Sequence, residues 1–277
     1  MTDPGSKFLP YGRHQIEDDD IAAVVAVLRS DSLTGGPVVA EFEQAFAERV
    51  GARFAVACAN GTAGLHLATL ALGLGSNDAV IVPALTFLAT ANAARYVGSE
   101  VTFADVDPET GLMRPKDLLD AIARETERPV RAAIPVHLNG QCVDMETLAE
   151  IAADQGLRIV EDACHAIGAT YQTRAGETIT VGSCRHSDMT VFSLHPVKTI
   201  AMGEGGVVTT NDPDLYAVLT RLRSHGMLRD PSQFTQSDEA FGDDGQPHPW
   251  YYEMAEPGFN YRASEIHCAL GLSQLRK

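Results

Sequence analysis

Short apolar runs recur along this chain, separated by stretches in which apolar residues return every three or four positions. The runs at 54–58, 79–83, 100–105, 131–137, 157–162 and 189–194 predict strands, and 205–211 predicts a further short one. The stretches 64–74, 115–124, 145–155 and 213–223 predict helices between them. Such alternation predicts an α/β fold, a mostly parallel wound sheet with helices on both faces. Residues 232–249, rich in Asp, Gly, Gln and Pro, predict a mobile surface loop. From Arg262 onward, Ile266, Leu270, Leu272 and Leu275 repeat with helical spacing up to the last residue, and no C-cap follows.

Composition narrows the class. A chain of 277 residues with 45% hydrophobic content can bury a large core. Its 37 acidic and 21 basic residues give a net charge of −16, which speaks against nucleic acid and anionic membrane surfaces and for small-molecule or protein partners. Five cysteines without a CxxC pair indicate neither a metal site nor a disulfide framework, and point to the reducing cytoplasm. No leader-like opening and no long uncharged apolar stretch is present, so neither export nor membrane spanning is expected.

Four lysines occur, at 7, 116, 198 and 277, and Lys198 alone stands between an apolar strand and a glycine cluster, in Phe192-Ser-Leu-His-Pro-Val-Lys198-Thr-Ile-Ala-Met-Gly203-Glu-Gly-Gly206. An amine at a strand end, beside backbone that glycine lets approach closely, suits Schiff-base chemistry on an aldehyde cofactor; a surface lysine is the plain alternative. In Asn60-Gly61-Thr62-Ala-Gly64, a strand gives way to a helix whose first amides, at Gly61 and Thr62, form either a phosphate cradle or an ordinary capped turn. The spacing is that of neither a dinucleotide site nor a P-loop, and a monophosphate fits better. Asp162 ends a strand at the carboxyl edge of the sheet, where it either pairs with a protonated pyridine nitrogen or caps the next turn. His165 follows as a ligand contact or a satisfied polar residue, and Phe87 is a stacking platform or a core aromatic. Ser193 and His195 flank the same strand end, each with a phosphate- or ligand-contacting reading and a purely local one. Asn260 and Arg262, in Gly258-Phe-Asn-Tyr-Arg262, read by themselves as loop and cap residues.

Taken together, Asn60-Gly-Thr-Ala-Gly64, Thr86-Phe87, Glu161-Asp162-Ala-Cys-His165, Phe192-Ser193, Lys198 with Gly203-Glu-Gly-Gly206, and Gly258-Phe-Asn-Tyr-Arg262 resemble the DegT/StrS-type sugar aminotransferases, which use pyridoxal 5'-phosphate. The likeness runs from Tyr11-Gly-Arg13 to Gly271-Leu-Ser-Gln-Leu275, and is greatest to the pseudaminic-acid branch. It implies the large domain of a fold type I enzyme. Residues 1–261 would bind the cofactor, and 262–277 would begin a helix leading to a C-terminal small domain absent from the sequence. It further implies that Lys198 forms the covalent link to the cofactor, that Asp162 pairs with the pyridine nitrogen, that Phe87 stacks on the ring, and that Gly61, Thr62 and Ser193 hold the phosphate. His165 would lie near the ring hydroxyl, while Tyr11, Arg13 and His195 would lie near the substrate. Asn260 would reach the phosphate of a neighbouring subunit, which implies a homodimer with shared sites. The reaction implied moves an amino group from an amino acid, glutamate in the family, to C4 of a UDP-linked 4-keto-6-deoxy-N-acetylhexosamine. Ser32 departs from the family, where an aromatic stands. The alternatives are another reaction or sugar on the same cofactor and fold, and a non-catalytic binding or regulatory relative. Dehydratases of the family carry histidine in place of the lysine, so Lys198 favours amino transfer.

Overall fold

The computed structural model describes Pro10 and residues 12–277. Two helices come first, α1 (Asp18–Leu28) and α2 (Pro37–Val50). The chain then winds through β1 (Phe54–Cys58), α3 (Gly61–Ala71), β2 (Ala79–Pro83), α4 (Leu88–Tyr96), β3 (Glu100–Ala104), α5 (Pro115–Arg124), β4 (Val130–Ala133), α6 (Met145–Gln155) and β5 (Arg158–Asp162). A small hairpin, β6 (Thr170–Gln172) and β7 (Thr178–Thr180), precedes β8 (Met189–Ser193), β9 (Gly206–Thr210) and α7 (Pro213–Arg223). A second hairpin, β10 (Met227–Leu228) and β11 (Glu253–Met254), encloses a short helix α8 (Ser237–Ala240), and α9 (Glu265–Leu275) follows.

Seven strands form the central sheet in the order β1-β9-β8-β5-β4-β2-β3. Six of them run parallel, whereas β9 lies antiparallel between β1 and β8. The expected parallel sheet is therefore interrupted by one strand, because β8 and β9 are joined by a reversing loop rather than by a helical crossover. Burial on both faces follows the two-residue period of a strand. Val80, Val82, Val160, Val191 and Val208 pack on one face around Leu65 and Leu67 of α3. Phe192 and Val207 point to the other face, against Phe42 and Phe46 of α2, while Ile81 and Ile159 pack there with Leu118 and Leu148. Each Val, Leu or Phe so buried contributes about 1.5–3 kcal/mol, which holds the strand ends in fixed register.

Several boundaries differ from those expected. β4 stops at Ala133 and pairing resumes only as a single bridge from Val136 to Asp162, since Pro135 has no N–H to donate to the ladder. α3 begins at Gly61, three residues earlier than the apolar spacing suggests, because the Asn60 side chain accepts from the Ala63 amide at 2.8 Å and caps it. The segment 232–249, expected as a mobile loop, holds α8 and a knot of edge-to-face aromatics, with Phe234 packed 5.0 Å from Tyr251 and 6.2 Å from Phe241 between ring centroids.

Candidate active site

The carboxyl ends of β1, β2, β5 and β8 converge on a cavity of about 420 Å³, within the size usual for small-molecule sites. Asn60, Gly61 and Thr62 line it from the start of α3, Thr86 and Phe87 from the turn after β2, and Asp162, Cys164 and His165 from the end of β5. Ser193, His195, Val197, Lys198 and Glu204 close it from the loop after β8. Sequence reading thus named eight residues that the fold gathers here: Gly61, Thr62, Phe87, Asp162, His165, Ser193, His195 and Lys198. Asn260 is exposed and does not line this cavity. Arg13 is exposed too, but Gly12 beside it packs against Val197 at the rim. Tyr11 lies outside the described residues.

Lys198 rides on a loop whose base is pinched. The Leu194 amide donates to Gly205 at 2.8 Å, and the Met202 amide donates back to Leu194 at 2.9 Å. A tighter turn, from the Lys198 amide to the His195 carbonyl at 2.8 Å, carries the lysine itself, and Gly203 supplies a left-handed φ of 80°. Lys116 is engaged by Asp117 and Asp120, and Lys277 by Glu17, Asp19 and Asp20; among the described residues no carboxylate pairs with Lys198.

The anion end of the cavity is built from backbone. A Cβ on Gly61 would sit 2.9 Å from that of Ser193, and one on Gly206 would collide with the Asn60 carbonyl and the Gly61 amide. The first turn of α3 therefore nests between β8 and β9 only because both positions are glycine, and its free amides with the helix dipole behind them suit a phosphate. A glycine pair that lets strand and helix backbone touch, a carboxylate and an amine around one cavity match the parts of a phosphorylated pyridine aldehyde: phosphate, ring nitrogen and carbonyl carbon.

Asp162 is 4% exposed; its Oδ2 accepts from Thr90 Oγ1 at 2.7 Å and its Oδ1 from the Cys164 amide at 3.2 Å. Next to it, buried Glu161 turns the other way and accepts from His137 Nε2 at 2.7 Å and from the hydroxyls of Thr190, at 3.0 Å, and Ser187. Burial opposes ionisation of Glu161, but these donors outweigh it and hold the carboxyl below its ordinary range. His165 Nδ1 accepts from the Asn139 amide at 3.3 Å, so the neutral ring carries its proton on Nε2. Burial and the positive charge of Lys198 keep this imidazole below its usual value, so it is neutral at pH 7. The Cys164 thiol is pushed up by burial and by the Asp162 charge, which makes it a packing group rather than a nucleophile. Phe87 is 65% exposed at the mouth, which excludes the core reading. Sequence reading missed Thr90 and Glu204; the four-residue spacing of Thr86, just before the N-cap of α4, and Thr90, in its first turn, is the signal that brings two hydroxyls together.

Comparison with known proteins agrees with this geometry. A model of the DegT/DnrJ/EryC1/StrS aminotransferase family matches residues 14–277. The spore coat polysaccharide biosynthesis protein SpsC of Bacillus subtilis (strain 168) is 38% identical over 277 residues, covering 100% of this chain and 66% of that protein. Helicobacter pylori PseC, an aminotransferase involved in the biosynthesis of pseudoaminic acid, superposes with a TM-score of 0.82 at 29% identity, over 98% of this chain and 66% of that one. Spr1654 from Streptococcus pneumoniae in its PLP-form gives 0.81 at 27% identity, over 97% and 66%. The chain thus spans about two thirds of the length of the relatives it matches, and the expected large-domain fold of the type I enzymes is the one found. It belongs to the DegT/DnrJ/EryC1/StrS aminotransferase family.

Proposed function

We propose that the protein is a pyridoxal-phosphate-dependent aminotransferase that moves an amino group from glutamate to C4 of a UDP-linked 4-keto-6-deoxy-N-acetylhexosamine. The observation that carries this reading is the convergence of Lys198, Asp162 and the Asn60-Gly61-Thr62 cradle on one cavity. When bound, pyridoxal phosphate supplies an aldehyde carbon for covalent attachment and a ring that draws electrons from the substrate. The chain's own groups do the rest. The Gly61 and Thr62 amides and the Ser193 hydroxyl would hold the phosphate, and Phe87 would stack on the ring. Asp162 would keep the ring nitrogen protonated, and His165, with its proton on Nε2, would be the hydrogen-bond donor near the ring hydroxyl. Lys198 Nζ would hold the cofactor through its aldehyde carbon and, when free, would serve as the base that moves a proton at the alpha carbon of the amino acid.

In this reading residues 1–261 form the cofactor-binding unit. Residues 262–277, which contain α9, would begin the helix leading to a small domain. Asn260 is exposed and outside its own cavity, which supports its acting on the phosphate of a neighbouring copy in a homodimer. His195 at the cavity and Arg13 beyond its rim are the substrate-side candidates, with Tyr11 preceding them in sequence. Five free cysteines suit a reducing cytoplasm, and no described helix is long and apolar enough to cross a membrane. The pseudaminic-acid branch is favoured by the likeness to PseC, while the identity to SpsC keeps other polysaccharide sugars in the test panel.

The test has two stages. Pyridoxal phosphate added to the intact protein should give a yellow band, and borohydride followed by peptide mass mapping should place the adduct on Lys198; neither band nor adduct overturns the reading. Candidate UDP-keto-sugars with an amino-acid panel, followed by NMR of the product, then fix the sugar, the donor and the face of amination.

A further inference from the structure

Asp162 is gripped more specifically than its burial requires. Its Oδ2 can only accept, so the Thr90 hydroxyl 2.7 Å away donates its one proton there. Thr86 Oγ1, 2.7 Å from Thr90 Oγ1, must then donate to Thr90, giving a directed chain Thr86 to Thr90 to Asp162. Thr90 is 0% exposed and does not line the cavity, whereas Thr86 does. The same turn carries another cavity group: Phe87 is the N-cap of α4, and the Thr90 amide donates to the Phe87 carbonyl at 3.1 Å. One helical turn therefore holds both the exposed ring of Phe87 and the hydroxyl that clasps Asp162.

We infer that Thr90 is a positioning residue: its hydroxyl fixes the plane of the Asp162 carboxylate relative to Phe87, so that a free lone pair meets the proton on the ring nitrogen. This rests on the proposed cofactor chemistry. Thr90 touches neither cofactor nor substrate, and its effect passes through Asp162. A donor to a carboxylate is favourable on two counts here, because it replaces lost water and because it removes the rotamer freedom that a ligand would otherwise have to quench.

Replacing Thr90 by Val keeps the branched shape and removes the hydroxyl, while Ser keeps the hydroxyl and removes the methyl. Cofactor dissociation constants, read from the absorbance of the Lys198 adduct in the intact protein, should be about tenfold weaker for Thr90→Val and within about twofold of wild type for Thr90→Ser, the loss expected for one hydrogen bond to a charged group. The amino-donor half-reaction should lose kcat rather than gain KM in the Val variant. The reverse order, Val like wild type and Ser impaired, marks a packing role and overturns the inference. Should Thr90→Val lack a cooperative thermal transition, Thr90→Ala against Thr90→Ser decides: Ser holding wild-type affinity while Ala loses it supports the grip, and equal loss refutes it. Failure of the wild-type protein to form the adduct sinks the proposed function and this inference with it; an adduct in wild type with unchanged Val affinity sinks the inference alone.

Discussion

Two cavities on this chain differ in size and in kind. The larger, about 750 Å³, is ringed by Arg221, Arg223, Arg229, Arg262 and His225, and the smaller, about 420 Å³, holds Lys198 and Asp162. In the larger one two of the cations are committed to structure: Arg221 pairs with Glu256 at 2.6 Å, and Arg223 binds Glu43 and the Ala57 carbonyl, tying α7 to α2 and β1. In the smaller one an amine without a carboxylate partner among the described residues faces a buried carboxylate, a neutral imidazole and a glycine-made anion cradle. Volume and net charge therefore do not mark the chemistry. Unlike groups held in fixed relation by strand ends do.

The contrast breaks most sharply at the lysine. Lys198→Ala should abolish the reducible adduct and lower turnover by about 10²–10⁴-fold, the scale of a lost proton-transfer group. Wild-type turnover in that variant would remove the smaller cavity from the chemistry. Next comes the cradle: Gly206→Ala pushes a methyl into the Asn60 carbonyl, so it should cost about 1–3 kcal/mol of stability and weaken cofactor binding, with Asp162 untouched. A cofactor titration with a thermal melt checks both, and an unchanged affinity would mean that the α3 amides do not hold the phosphate. The larger cavity supplies the control. Arg221→Ala removes a half-exposed ion pair with Glu256, so the adduct band should be unaltered and stability should fall by no more than about 1 kcal/mol.

A further effect concerns a support that lines neither cavity. Arg114 beside Asp117 holds that carboxyl at about 2, below its ordinary 3.8, and Asp117 also accepts from the Arg114 amide at the start of α5. A depressed folded value contributes stability that is full above the unfolded pKa and is lost as pH falls from about 4 to about 2. Denaturant melts of Asp117→Asn against wild type should therefore differ at pH 7 and converge near pH 2; a constant gap would assign the effect to packing instead.

The legibility of the chain follows the same division. β1, β2, α5, α6 and α7 are found where their spacing puts them, because burial on both sheet faces writes long apolar runs and Pro or Asp marks the helix starts. α1 and α2 precede the first strand and stand outside the alternation, and α4 is built of Ala, Thr and Asn with little apolar contrast, so no such pattern announces them. Asp162 at a strand end, and Phe87 and Lys198 in the segments that follow strands, are visible as residues of unusual type at those places. Thr90 and Glu204 are not: a buried threonine in a helix and a glutamate among glycines look like packing and solvation until their neighbours are known.

Local order alone fixed most strands, the helices α5, α6 and α7, the lysine's place after a strand and the glycines beside it, because each of these depends on residues adjacent in sequence. Tertiary structure decided that β9 inserts antiparallel beside β8, that Gly206 backs the turn at Asn60, and that Thr90 grips Asp162 from 72 residues away. Contacts at such separation are chosen by the closure of the whole sheet, and no short window of sequence contains the loop-closure cost or the packing energy that selects them.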